Sequence, residues 1–405
     1  MTKPHSGGPL GRRGLFAGGA ALGLSACAPL DRLPAVPQPQ HARASVLGLP
    51  NERFLPASSE GQAGLQREFV EAAGRRLRTL GVRPDAQGLP ELNLLGVSGG
   101  GDDGAFGAGL LNGWTERGDR PEFFLVTGVS TGALTAPFAF LGSRWDAALR
   151  SVYTDITLAD VVAQRFFTAA ITSDGMADNT PLFRTISRHL DEAMLAEIAR
   201  GYDEGRLLLI GSTNLDAERP VIWNIGAIAK SGHPRALETV RRVLLASSAI
   251  PGAFSPVLFD VTVDGRPHQE LHVDGGAFAQ VFLYPASVGE LRRQAIARRQ
   301  RVVPARAYVI RNGRLEPVGG QVERRTVGIA GRAVAAMISA SGFSDVQRIY
   351  TATQRDHVEF RVAHISPEFD VPYTTPFNQA YMRPLYDYGK RRTLEGRVWN
   401  ERPPV

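Results

Sequence analysis

The sequence predicts an α/β fold of three layers, with helices on both faces of a mainly parallel central sheet. Three observations lead there. Short apolar runs at Leu92–Val97, Phe123–Val126, Leu207–Ile210 and Ala307–Ile310 read as buried strands. Helical patterns from Ala105 to Arg117 and from Ser130 to Leu141 follow the first two of them. Glycines punctuate the strand-to-helix turns, at Gly99-Gly100-Gly101 and again between Gly128 and Gly132. Parallel neighbours need a crossover, and strand–helix–strand–helix order supplies it.

The elements follow in chain order. Arg12-Arg13, an apolar stretch from Gly14 to Ala26 and then Cys27 have the layout of an export signal over residues 1–27. Leu24-Ser25-Ala26-Cys27 looks like a bacterial lipobox, in which Cys27 is lipidated and becomes the mature N-terminus. The paired arginines resemble a twin-arginine signal. The apolar stretch is too short for a membrane-spanning helix. Residues 28–58 carry Pro34, Pro37, Pro39, Pro50 and Pro56 and read as a tether. A single catalytic domain is expected over 59–405, with a core at 92–278 and a C-terminal extension of helix and strand at 279–405. It opens with a helix from Glu60 to Leu80. Downstream, Val221-Ile222-Trp223 reads as a strand reached from the 207–210 strand by a turn at Asp216–Arg219, and a helix from Pro234 to Ser247 stops at Pro251-Gly252. A hairpin at 257–263 and 269–273 turns at Asp264-Gly265. Long helical patterns occupy 324–356 and 376–397.

Composition excludes several classes. The chain has 405 residues and a formal charge of +6, carried almost wholly by arginine, since Lys3, Lys230 and Lys390 are the only lysines. The basic stretch from Arg292 to Arg306 reads as a solvated helix face, although it has the charge to touch anionic headgroups. No nucleic-acid module accompanies the charge, so no nucleic-acid partner is expected. With one cysteine, no intrachain disulfide can form.

The candidate chemistry lies in three places. Gly128-Val129-Ser130-Thr131-Gly132 places a serine on a sharp strand-to-helix turn, where its hydroxyl is exposed and a helix N-terminus points at it. Gly128 and Gly132 are the small residues that such an elbow needs. The bland reading of Ser130 is a helix-capping serine. Gly99, Gly100 and Gly101 lie one crossover upstream, so both loops emerge at the carboxyl edge of the sheet. Backbone amides without side chains can converge there on an oxyanion. The same loop fits a dinucleotide fingerprint, but Asp102 and Asp103 would repel pyrophosphate, and no acid ends the next strand. Asp274, between Val273 and Gly275-Gly276, is a carboxylate at a strand end, able to act as general base or to be a simple turn residue.

At these residues the chain resembles the patatin-like phospholipase family. The resemblance runs from about Leu92 to Phe278 and takes in Asp178–Leu182, Thr213–Asp216 and Ala246–Pro251. It implies a patatin-like fold with a Ser130–Asp274 dyad and an oxyanion hole from the Gly99, Gly100 and Gly101 amides. It also implies acyl-ester hydrolysis without metal or cofactor. Many members carry a basic residue where this chain has Asp103. Phospholipid is the leading substrate, with a membrane partner through the Cys27 anchor and a place in the bacterial envelope, facing the periplasm. Two alternatives stand beside it. One is a Ser-His-Asp esterase using His357 or His364, with His272 beside the aspartate. The other is a non-catalytic lipid-binding lipoprotein.

Overall fold

The computed structural model describes residues 32–83, 88–164, 175, 177–317, 319–322 and 324–404. Cys27 and the expected export signal lie outside the described residues. In chain order the elements begin β1 (Arg53–Phe54), α1 (Ser59–Thr79), β2 (Leu92–Val97), α2 (Gly104–Arg117), β3 (Leu125–Val129) and α3 (Thr131–Leu141). Then come α4 (Asp146–Thr154), α5 (Leu158–Val161), a small ribbon of β4 (Ala163–Gln164) and β5 (Ala177–Asp178), α6 (Thr180–His189) and α7 (Glu192–Asp203). Strands β6 (Leu207–Asn214) and β7 (Arg219–Asn224), helices α8 (Ile225–Lys230) and α9 (Ala236–Ser247), and the hairpin β8 (Val257–Val263) and β9 (Arg266–Asp274) follow. The chain continues through α10 (Ala286–Ala297), β10 (Ala305–Arg311), α11 (Thr326–Arg355), β11 (Glu359–His364) and α12 (Gln379–Leu394).

The main sheet has the order β1-β7-β6-β3-β2-β10-β11, with β9 joining β6 and β8 joining β9. From β6 to β11 every pairing is parallel; β7, β1, β9 and β8 are antiparallel to their partners. Alternation along each strand feeds two cores. Leu95, Val126, Leu208 and Ile310 face the core shared with Phe106, Leu110 and Leu111 of α2 and Phe138 of α3. Leu94, Leu125, Leu209 and Val309 face the other, with Leu65 and Phe69 of α1 and Val346 and Ile349 of α11. The strands are buried on both faces, which is why they read as unbroken apolar runs.

One expectation fails. The described part of the 28–58 tether is packed onto the domain, so the folded body starts well before residue 59. Val36, Val46, Leu47, Phe54 and Leu55 are buried, and β1 adds to the sheet edge at β7. Arg53 forms an ion pair with Glu270 at 2.5 Å, both nearly inaccessible to water. Glu52 accepts from the Val46 and Leu47 amides at 2.6 and 2.9 Å. The prolines set turns in a segment whose apolar residues still find cover. The basic 292–306 stretch is likewise tied into the fold: Arg292 donates to the Val303 and Asp356 carbonyls, and Arg306 to Glu359.

Candidate active site

Strand register brings the three candidate elements together. Val97 of β2 pairs with Gly128 of β3, so the glycine loop and the Ser130 turn leave the sheet side by side. Strand β6 pairs with β3 up to Val129–Gly211, and its next residue, Ser212, pairs with Asp274. Because β7 covers the other side of β6 from Leu209 to Asn214, β9 must lie on the side that β3 vacates. Strands β3 and β9 therefore meet nearly end to end, one pointing up and the other down. Ser130 and Asp274 stand at the junction.

Ser130 has φ 55° and ψ −127°, a left-handed conformation that a residue with a Cβ rarely adopts. Holding it costs about 1–3 kcal/mol. The turn is closed so tightly that a Cβ on Gly128 would lie 2.4 Å from the Gly132 carbonyl oxygen, and one on Gly132 would lie 2.2 Å from that of Val97. The strain is held from outside. The Ser130 N–H donates to Ser247 Oγ at 3.0 Å, and Ser247 Oγ donates to the Gly211 carbonyl at 2.6 Å. Ser248 Oγ donates to the Ser130 carbonyl at 3.3 Å. The end of α9 thus grips the elbow, a physical role for the Ala246–Pro251 segment.

Asp274 is buried, at 5 % exposure. Its carboxylate shares a hydrogen bond with the Ser130 side chain. Its Oδ1 accepts the Gly276 N–H at 2.6 Å, and its own N–H donates to the Ala249 carbonyl at 2.9 Å. Burial raises its pKa to about 6, against the opposing pull of Ser130 and the Gly276 amide. A dehydrated carboxylate of that basicity, touching a serine hydroxyl, is suited to take its proton near neutral pH.

The glycine loop needs one correction. The Gly99 N–H donates to the Gln280 carbonyl at 2.9 Å, so it is unavailable to an oxyanion. Gly99 instead packs on the Ser130 turn; a Cβ there would sit 3.1 Å from Ser130 Cβ. Gly100 has φ 156° and would place a Cβ 2.0 Å from the Asn312 carbonyl oxygen, so only glycine fits. Gly101 borders the same cavity as Ser130. The Gly100 and Gly101 amides, with those opening α3, are the donors left at this edge. Residues that sequence reasoning missed hold the loop in place. Arg311 Nη1 donates to the Gly99 carbonyl at 2.8 Å, and Asn312 donates from its backbone to Ser98 Oγ at 2.8 Å and from its side chain to the Ser98 carbonyl at 2.9 Å. Polar Arg311-Asn312 directly after an apolar strand was the available signal.

Asp102 and Asp103 point into the C-terminal segment. Asp102 accepts the Phe377 N–H at 2.6 Å, and Tyr381 donates to Asp103 at 2.6 Å. Burial raises the Asp103 pKa to about 6 despite the Tyr381 hydroxyl and the charge of Arg311. The histidines are placed elsewhere. His364 ends β11, three strands from β3, so about 14 Å of sheet separates it from the elbow. His357 follows the end of α11, and its carbonyl accepts from Arg292. His272 is fully buried, with Nδ1 at 2.9 Å from Ser212 Oγ and Nε2 at 3.1 Å from Glu270. Its neighbour Glu270 is pushed up by burial, but Arg53 and His272 overcome that and hold it well below the usual carboxylate range.

Ser130 opens on an apolar cavity between α3, α4, α6, α7 and α9. Leu134, Phe138, Val152, Ile186 and Met194 line it, and His189, another residue missed from sequence, stands in the wall. Burial lowers the His189 pKa, keeping the ring neutral and compatible with an apolar lining. Among the described residues no cluster of three or more His, Cys, Asp or Glu is placed to hold a metal ion.

At its carboxyl edge the parallel sheet carries a strained serine, a buried carboxylate and an apolar cavity, an arrangement suited to acyl-ester chemistry. The family comparison agrees: residues 95–287 match the model of patatin-like phospholipase, and the chain carries a domain of that family. This is a lipid acyl hydrolase domain. The crystal structure of VipD from Legionella pneumophila aligns over 77 % of this chain and 68 % of its own, with 11 % identity and a TM-score of 0.34. No curated protein matches the chain in sequence.

Proposed function

We propose that the protein is a phospholipase A-type hydrolase working through a Ser130–Asp274 dyad. The observation that carries this reading is the strained Ser130 hydroxyl in contact with a dehydrated carboxylate at the mouth of an apolar cavity. Asp274 takes the Ser130 proton as Oγ attacks the ester carbonyl. The Gly100 and Gly101 amides hold the tetrahedral oxyanion, aided by the N-terminus of α3. Asp274 returns the proton to the departing alcohol, leaving an acyl-Ser130 ester. Water then attacks it, giving its proton to Asp274, and Ser130 leaves with that proton as the fatty acid departs. The acyl chain occupies the cavity, whose lining is mainly apolar.

A fluorophosphonate probe tests the nucleophile. Labelling of wild type and not of Ser130→Ala is expected; folded wild type that stays unlabelled overturns the reading. The histidine alternative predicts loss of activity in His357→Ala or His364→Ala, whereas the dyad predicts near-normal turnover in both. We also propose that Cys27 carries the lipid anchor that holds the protein in the bacterial envelope. Labelled palmitate should enter wild type and not Cys27→Ser.

A further inference from the structure

The cavity at Ser130 has a direction. Thr131, Leu134 and Phe138 all line it, and their spacing of three and four residues puts them on one stripe of α3. The cavity therefore follows this helix from its first turn to its last. It is open at the Ser130 end. Ser248 donates to the Ser130 carbonyl, and Ile250, two residues further on, lines the cavity and is 40 % exposed. It is closed at the other end. Phe138 is 4 % exposed, and its ring meets the His189 ring edge-on, with centroids 6.3 Å apart. Leu190, which follows His189 and also lines the cavity, is 2 % exposed.

Depth and lining chemistry follow from the same residues. From Ser130 to Phe138 the helix rises about 12 Å. An extended alkyl chain advances about 1.3 Å per carbon, so about eight to ten carbons fill that depth. The threonine hydroxyls along the wall are already engaged. Thr131 Oγ lies 2.7 Å from the Tyr153 hydroxyl, and Thr185 Oγ donates to the Asp160 carbonyl at 2.9 Å. A plain hydrocarbon leaves those bonds intact, whereas a chain carrying a buried hydroxyl would find no free partner and would lose its hydration.

We propose that the acyl group taken at Ser130 is an unbranched chain measured against Phe138, with medium length, about eight to ten carbons, seated in full. This rests on the reading of Ser130 as nucleophile, and adds which acyl group that serine meets. A longer chain must turn back at Phe138 towards the mouth, where further carbons gain no burial. Leu134 stands one turn below Ser130, about 6 Å down, and forms the side of the same tube.

The test is competition by straight-chain methyl esters, from four to sixteen carbons, against a fluorescent fatty-acyl probe, below the concentrations at which the esters aggregate. It uses the full chain carrying Ser130→Ala, so that turnover does not contribute. Affinity should rise about tenfold per added pair of carbons, and level off at about ten. Phe138→Ala should move that plateau about two to four carbons longer, and Leu134→Phe should move it to about six carbons or fewer. Phe138 is a core residue; should its variant fail to fold, Leu134→Phe, at a half-buried position, still reads the ruler. Affinity that keeps rising to sixteen carbons overturns the proposal, and so does a plateau that the folded variants leave in place. With Ser130 intact, kcat/KM on p-nitrophenyl esters should level off at the same length. A protein that binds by this ruler and cleaves no ester would sink the nucleophile reading and leave the ruler standing. One that binds and cleaves esters of every length alike would keep the nucleophile and lose the ruler.

Discussion

Ser130 ends β3 in the parallel part of the sheet, whereas Asp274 ends β9, an antiparallel strand that meets β3 head-on along β6. The two are made unusual by different means. Ser130 is unusual in its backbone, with a positive φ clamped by Ser247 and Ser248. Asp274 has ordinary strand geometry before it and is unusual in its surroundings, which deny its charge water. One residue holds conformational strain and the other electrostatic strain. The lesson is that the two residues of the proposed dyad can be perturbed separately.

The sharpest break in the comparison is functional. Ser130→Ala and Asp274→Asn should each lower kcat/KM for ester hydrolysis by about three to four orders of magnitude, and the double variant little further, because the two act as a unit. An additive double variant would mean that the residues work apart. The pH profile sharpens the assignment. With a pKa of about 6, Asp274 should give kcat/KM an acid limb falling below pH 6. A limb near pH 4 would place the base elsewhere.

The next largest effects are on stability. Glu270→Gln leaves the Arg53 charge buried without its partner and should destabilise by about 3–5 kcal/mol in urea titration. Asp274→Asn has the opposite sign. Between the ordinary carboxylate range and pH 6 the folded chain binds the proton and the unfolded chain releases it. Stability from this group is therefore full in acid and lost as pH rises through about 6. Asn removes that loss, so the variant should be more stable than wild type by about 3 kcal/mol at pH 8 and close to it at pH 4. The smallest effect is backbone relief: Ser130→Gly should gain about 1 kcal/mol in the same assay while removing the hydroxyl.

Much of this edge was legible in the sequence because its signals are local. The strands flanking Gly99 and Ser130 are apolar on both faces, and the glycines break them where the backbone must turn. Asp274 was legible because a hairpin led into it. What escaped depends on partners far away in the chain. The Gly99 amide is taken by Gln280, and Arg311 and Asn312 brace the loop from more than two hundred residues on; no spacing rule reports such contacts. Residues 32–58 were hidden by their prolines, although Val46, Leu47, Phe54 and Leu55 carry enough apolar surface to be covered. The periodicity of α11 marked a helix but not that half of it faces away from the protein.

The packed N-terminal segment has a consequence for reach. Arg32 is paired with Asp216 at 2.5 Å, and the Leu33 N–H donates to Gln269 at 2.8 Å. With a lipid on Cys27, five peptide steps separate the anchor from the folded body, a leash of at most about 18 Å. A body on so short a leash cannot sample the space between membranes. Under that condition it would be confined to the leaflet that carries the lipid, with that surface at high effective concentration. Lengthening the leash with a Gly/Ser insert after Cys27 should therefore leave turnover of soluble ester intact and weaken hydrolysis of the membrane's own lipid.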